Sequence, residues 1–210
     1  MSRHLLLRLT LVLFLWALCF PLIAAGLSTI PPFYFAAVRS LLAGAGLLLP
    51  GYVLHRPVPR GARTWLALLG AGIGSASLGF GGMFLAGGTV SPGLATVLAN
   101  SQPLIAAGLA HYSLGERLTR RGWAGLAVGF AGIVVISSAS LRGTGADKTM
   151  IGVGYVMLGA TGVAIGNVFL KRLAGHVDLW MATGWMLVLG GLPLLMAALA
   201  LEPFSQTKWG

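Results

Sequence analysis

Residues 33–63 read FYFAAVRSLLAGAGLLLPGYVLHRPVPRGAR. The first part, Phe33 to Leu54, is apolar but for Arg39, Ser40 and a few glycines. Its 22 residues exceed the ~20 that a helix needs to cross a bilayer core of ~30 Å. The second part carries His55, Arg56, Arg60 and Arg63 and no acid. An apolar span running into a basic gap predicts a transmembrane helix whose following loop faces the cytoplasm.

The same pattern extends along the chain. Further spans are predicted at Leu9 to Leu27, Trp65 to Gly87, Pro92 to His111, Trp123 to Ser138, Ile151 to Leu170 and Leu179 to Leu201, seven in all. Positive charge fills every second gap: Arg3 and Arg8 before the first span, Arg117, Arg120 and Arg121 after the fourth, Lys171 and Arg172 after the sixth. The gaps Ser28 to Pro32 and Gly88 to Ser91 carry none. The positive-inside rule therefore expects a multi-pass protein of the plasma or inner membrane with a cytoplasmic N-terminus.

A hydrophobic fraction of 57% with 9% charged residues excludes a water-soluble domain. The net charge of +10 does not point to nucleic acid, because the basic residues are clusters beside spans rather than one stripe. Anionic lipid headgroups fit them better, at about 1 kcal/mol per basic residue. Cys19 is the single cysteine, so no intrachain disulfide forms, and neither a metal nor a cofactor is expected. The first span could be a cleaved signal sequence ending near Ala24, Ala25 and Gly26. Its length, Trp16 and Pro21 argue against that, and its loss would leave the next span entering from the wrong side.

Ser91-Pro92 predicts an N-cap followed by proline at the first helical position, and Asp178 predicts the N-cap of the last span. Residues 140–150, with Gly143, Gly145, Asp147 and Lys148, read as a linker between residues 1–139 and 151–210. Shifting the chain by 146 residues lays Phe33 on Leu179, Leu41 on Leu187, Gly44 on Gly190 and Leu49 on Leu195. The shift covers five spans, an odd number, so the second copy enters the membrane inverted, as in many transporters. The fold expected is an all-α integral membrane protein with one five-helix repeat and the first two helices of an inverted second. A full second copy would need about 75 further residues and three more helices. A dimer, or a partner supplying those helices, is the corollary.

Gly70 and Gly74, Gly125 and Gly129, and Gly162 and Gly166 form GxxxG pairs, expected to let helices pack closely. Arg39 lies six residues inside its span, roughly 9 Å deep at 1.5 Å per residue. A guanidinium there costs about 2.5–3.5 kcal/mol on insertion scales. It either snorkels outward or faces a cavity and holds an anionic or zwitterionic small molecule. Asn100 and Gln102 lie about 12–15 Å along the fourth span, beside Pro103, which removes a backbone donor. A kinked helix with amides near the midplane is the form a substrate site takes. The competing reading is plain interhelical hydrogen bonding. Pro21 and Pro193 are expected to bend the first and last spans. Tyr34 and Trp180 read as interfacial anchors, whereas Trp16 and Trp185 lie deeper and are candidates for a cavity wall. The four acids, Glu116, Asp147, Asp178 and Glu202, all fall outside the spans or at their ends, so no intramembrane proton relay is predicted.

On these residues the chain resembles the EamA branch of the drug/metabolite transporter superfamily. Phe35-Ala-Ala-Val-Arg39-Ser-Leu-Leu-Ala-Gly44 is similar to that family's arginine-bearing second helix. Gly79, Phe84, Ala86, Ala95, Pro103, Leu114-Gly115-Glu116-Arg117 and Gly122 follow its third and fourth helices, with Glu116 in a structural role. Gly125 to Ile136 resembles its fifth. The resemblance implies ten helices in two inverted repeats, a central path between them, and transport, often export, of small metabolites, amino acids or drugs. Other readings are a seven-helix receptor, a fragment without activity, or an intramembrane enzyme. For the last, Ser75 and His111 lie in different spans with no orienting acid. No enzyme is therefore expected.

Overall fold

The computed structural model describes residues 3–115, 118–140 and 146–202. Among them the regular structure is helical, apart from one isolated bridge between Ala174 and Val177. The helices are α1 (Arg3–Gly26), α2 (Pro32–Val53), α3 (Ala62–Gly72), α4 (Gly81–Ala86), α5 (Pro92–Ala99), α6 (Gln102–Leu114), α7 (Arg120–Ser140), α8 (Ala146–Leu173) and α9 (Leu179–Leu201). A π-helical segment, Ile73–Phe80, joins α3 to α4.

Six stretches among the described residues are long and apolar enough to cross a membrane: Leu5–Ile23, Pro32–Val53, Ala62–Ala86, Gly93–Leu114, Asp147–Leu173 and Leu179–Leu201. The chain is thus an all-α multi-pass membrane protein. The remaining expected span, Trp123 to Ser138, lies within α7, a helix of 21 residues that is not among these six. Helix α8 starts at Ala146, so residues 146–150 of the expected linker are helical. Asp147 in its first turn is the reason, since a negative charge favours the positive end of the helix dipole.

Glycine and alanine build the core. Helices α2 and α9 pack antiparallel along their length. Gly44 backs onto Val188 and Gly184, and a methyl group there would stand 2.7 Å from the Val188 side chain. Gly191 faces Leu41 and Ser40, and the Ser40 hydroxyl donates to the Leu187 carbonyl at 2.8 Å. Helix α8 lies in the trough of the π segment. A methyl group on Gly74 would stand 2.7 Å from the Gly162 carbonyl oxygen, and one on Gly82 2.5 Å from that of Tyr155. Without a hydrophobic drive between helices in lipid, such close backbone approach supplies the attraction. The packing expected of Gly74, Gly162 and Gly166 is seen. A methyl group on Gly70 would stand 3.2 Å from the Phe169 ring and one on Gly129 2.6 Å from the Leu104 side chain, whereas one on Gly125 would meet nothing described within 4 Å. Large apolar side chains such as Leu13, Leu42, Val134 and Leu199 point outward, where the solvent is lipid.

Both ends of the α2–α9 pair are tied by charge. At one end Asp178 caps α9, as predicted, accepting from the Met181 N–H at 3.0 Å and from Arg56 Nη1 at 3.0 Å. Arg56 also lies over the Trp180 ring at 5.4 Å, and the Trp180 indole donates to the Leu47 carbonyl at 2.7 Å. The Met181 amide first, and Arg56 second, hold the Asp178 carboxyl below its ordinary value of 3.8. A lowered folded-state value means that the stabilisation is full above pH 3.8 and is lost as pH falls through the folded value. The drop in unfolding midpoint caused by Asp178→Leu in detergent is therefore expected at pH 7 and should shrink at about pH 3. An equal drop at both would show that the charge is not what stabilises.

At the other end Pro31 offers α2 no side-chain cap. Glu202, just past α9, supplies it, accepting from the Phe33 N–H at 3.0 Å and the Tyr34 N–H at 3.1 Å. Removing a helix cap costs about 0.5–2 kcal/mol. Glu202→Ala should lower the unfolding midpoint, and Glu202→Gln less so; unchanged midpoints would refute the cap.

Candidate functional site

Residues at two breaks in helical regularity line one cavity. The fourth expected span is interrupted at Asn100 and Ser101, where the Ser101 N–H bonds to Leu98 three residues back. Pro103, lacking an N–H, sits in the first turn of α6. The span in which Pro103 lies is divided into α5 and α6 just before that proline. The second break is the π segment, whose last residue is Phe80. Such wide turns occur often at functional sites, because they re-aim side chains within an otherwise rigid helix.

Between the breaks and α1 lies a cavity of about 390 Å³. Its walls are Val12, Leu15 and Cys19 of α1, Arg39 of α2, Phe80 and Met83, Ala99 and Gln102, and Val163 of α8. This size is within the range of small-molecule sites, about 300–1,000 Å³. The lining is apolar with few polar groups, the usual composition of a binding site.

Arg39 is held by weak partners. Its Nη2 donates to the Cys19 sulfur at 3.3 Å. Its guanidinium lies 4.6 Å from the Phe80 ring centre and 5.9 Å from that of Phe84. Phe84 is buried and is fixed by an edge-to-face contact with Phe35 at 4.9 Å. Cation–π contacts contribute about 0.5–2 kcal/mol each, which stabilises the charge without neutralising it. Among the described residues the ion pair seen is Arg56–Asp178, and no carboxylate faces Arg39. A guanidinium has five N–H donors, and a thiol sulfur is a poor acceptor. Arg39 therefore brings unused donors and an uncompensated charge to the cavity wall.

Of the residues predicted for a site, Arg39 and Gln102 come together in this cavity. Asn100 does not line it: it is exposed, and its amide donates to the Thr96 carbonyl of its own helix at 2.8 Å. Trp185 packs elsewhere, edge-to-face on Trp65 at 5.0 Å, and its buried indole nitrogen has no hydrogen-bond partner among the described residues. Pro21 is an exposed residue within α1, and Pro193 lies inside α9. The Trp16 side chain and Glu116 fall outside the described residues. Sequence reasoning missed Cys19, Phe80 and Met83. The available signal was Phe80 set among Gly79, Gly81 and Gly82 near midspan, an aromatic side chain flanked by residues that let it turn.

A family profile described as the EamA-like transporter family matches residues 5–138. A WAT1-related chloroplastic protein of Arabidopsis thaliana is 37% identical over 170 residues, covering 78% of this chain and 40% of that protein. An uncharacterized transporter of Synechocystis is 31% identical, covering 94% of this chain and 64% of its own length. A protein of Salmonella typhimurium named as a probable amino-acid metabolite efflux pump is 30% identical, covering 91% and 62%. The chain thus spans from two fifths to just under two thirds of the length of these relatives. No solved structure matches it significantly.

Proposed function

Because the chain belongs to the EamA-like transporter family, we propose that it moves a small molecule across the membrane through the cavity at Arg39. The observation that carries this reading is the charge of Arg39, held at a cavity wall with no carboxylate among the described residues to neutralise it. An intramembrane cation is costly and is kept where it meets a substrate or an ion path. The substrate binds there as an anion or through an anionic group, and Gln102 supplies a second polar contact.

Alternating access follows from two inverted repeats rocking about that site. The tied ends of α2 and α9 support the repeat. By the 146-residue offset Arg56 corresponds to Glu202, and Pro32 to Asp178. Arg56, beyond one helix, reaches Asp178 at the start of the other, and Glu202, beyond the second, reaches the start of the first. A two-fold axis in the membrane plane exchanges these contacts. The basic end is the cytoplasmic one in this reading: Arg172 donates to the Ser113 carbonyl at 2.8 Å, joining the ends of α8 and α6 on one side.

The test is transport. Everted vesicles with and without the chain are incubated with a metabolite extract, and their contents are compared by mass spectrometry. Carboxylated or phosphorylated solutes should accumulate only with the chain. A content independent of the chain would refute the proposal.

A further inference from the structure

Resting on the reading of the Arg39 cavity as a substrate site, we infer that the Ala99 backbone carbonyl is an acceptor of that site. The ligand then brings an O–H or N–H donor to it, together with its anionic group. In a regular helix the carbonyl of residue 99 accepts from the N–H of residue 103. Residue 103 is a proline and has no N–H. The neighbouring amides are engaged elsewhere. The Asn100 N–H donates to the Thr96 carbonyl at 3.1 Å, the Ser101 N–H to that of Leu98 at 3.0 Å, and the Leu104 N–H to that of Ser101 at 2.9 Å. The carbonyl at the end of α5 is thus left without its helical donor.

That oxygen is placed for a ligand. A helix carbonyl points toward the C-terminal end of its helix, here toward residues 102 and 103. Ala99 and Gln102 both line the cavity, so the carbonyl between them opens on it. Ala99 is 9% exposed, and a buried carbonyl without a donor costs about as much as a lost hydrogen bond. A donor delivered by the ligand removes that cost. Arg39, on α2, faces the same cavity with N–H donors. The wall therefore holds a cationic donor on one helix and a neutral acceptor on another. An anion that also carries a hydroxyl, amide or amine satisfies both, whereas an anion without a donor satisfies Arg39 alone. Pro103 is a positioning residue in this scheme, since it acts by keeping the Ala99 carbonyl free.

The test adds back the missing N–H. Everted vesicles matched for content of the full chain are incubated with a metabolite extract, and the accumulated solutes are read by mass spectrometry. Pro103→Ala supplies an N–H to the Ala99 carbonyl. The α-hydroxy analogue of alanine at position 103 has the same side chain but forms an ester, which has no N–H. Pro103→Ala is expected to lower uptake of anions bearing an O–H or N–H by about tenfold, and to spare anions without one. The ester should keep wild-type uptake, which a role of the proline ring in shaping the helix would not allow. Pro103→Leu supplies the same N–H if Pro103→Ala does not fold. Equal uptake in the alanine and ester variants overturns the role of the carbonyl, as does an equal fall for anions without a donor. In either case loss of uptake in Arg39→Leu leaves the Arg39 site standing. Uptake retained in Arg39→Leu, or no accumulation that depends on the chain, overturns the site and the inference together.

Discussion

Arg39→Leu is expected to lower transport of anionic substrates by about 30-fold or more while leaving membrane insertion intact. Losing one partner of a desolvated, hydrogen-bonded charge pair costs about 2–5 kcal/mol, and 1.4 kcal/mol is tenfold. Insertion should survive, because leucine replaces the one charged group within α2 and removes its hydrocarbon penalty. The protein's own partners for the guanidinium are a sulfur at 3.3 Å and two ring faces, all weak, so the fold depends little on them. Arg39→Lys separates charge from shape. Lysine keeps the charge but lacks the planar fork, so partial activity is expected. Measurement is of substrate flux in vesicles matched for chain content. Flux unchanged in Arg39→Leu would remove the role assigned to this residue.

Gly162→Val is expected to abolish correct packing of α8. A β-carbon at Gly162 would stand 2.6 Å from the Gly74 carbonyl oxygen and 2.6 Å from the Leu78 β-carbon. The first obstacle is backbone, which cannot rotate aside, so α8 must leave the π segment. Overpacking costs about 1–3 kcal/mol, and separating Gly74 and Gly82 from α8 along the same trough adds to it. The folded-to-unfolded ratio should fall by about tenfold or more, read as a lowered unfolding midpoint in detergent. Gly162→Ala should be milder, and Gly125→Val nearly silent, since nothing described lies near Gly125. Equal behaviour of Gly162→Val and Gly125→Val would show that the trough does not hold α8.

Arg39 and Gly162 differ in how legible they are in the sequence. Arg39 stands out because an arginine amid Phe35-Ala-Ala-Val and Ser-Leu-Leu-Ala has an energetic cost that any reader can estimate. Gly162 belongs to one GxxxG pair among several, and sequence does not rank it above Gly125. Which pair meets a neighbour depends on helix rotation. In a membrane bundle the lipid-facing and core-facing sides are both apolar, so periodicity does not reveal that rotation. The same ambiguity explains the candidate site. Gln102 and Asn100 are two residues apart, and both read as midspan amides. A break at Asn100 and Ser101 turns Gln102 to the cavity and leaves Asn100 bonded to its own helix. Trp185, equally deep in sequence, faces Trp65 instead.

Sequence by itself determined the membrane class and most span boundaries, including the caps at Ser91 and Asp178. These depend on local quantities: the length of an apolar run against the bilayer thickness, and single residues that end or begin a helix. Tertiary structure alone decided that Glu202 caps a helix 169 residues away, and that Cys19, Phe80 and Gln102 share a cavity with Arg39. Such contacts arise from how glycine-lined backbones nest and where a helix breaks its turn. Those are properties of helices in register with one another, and no single stretch of the chain contains them.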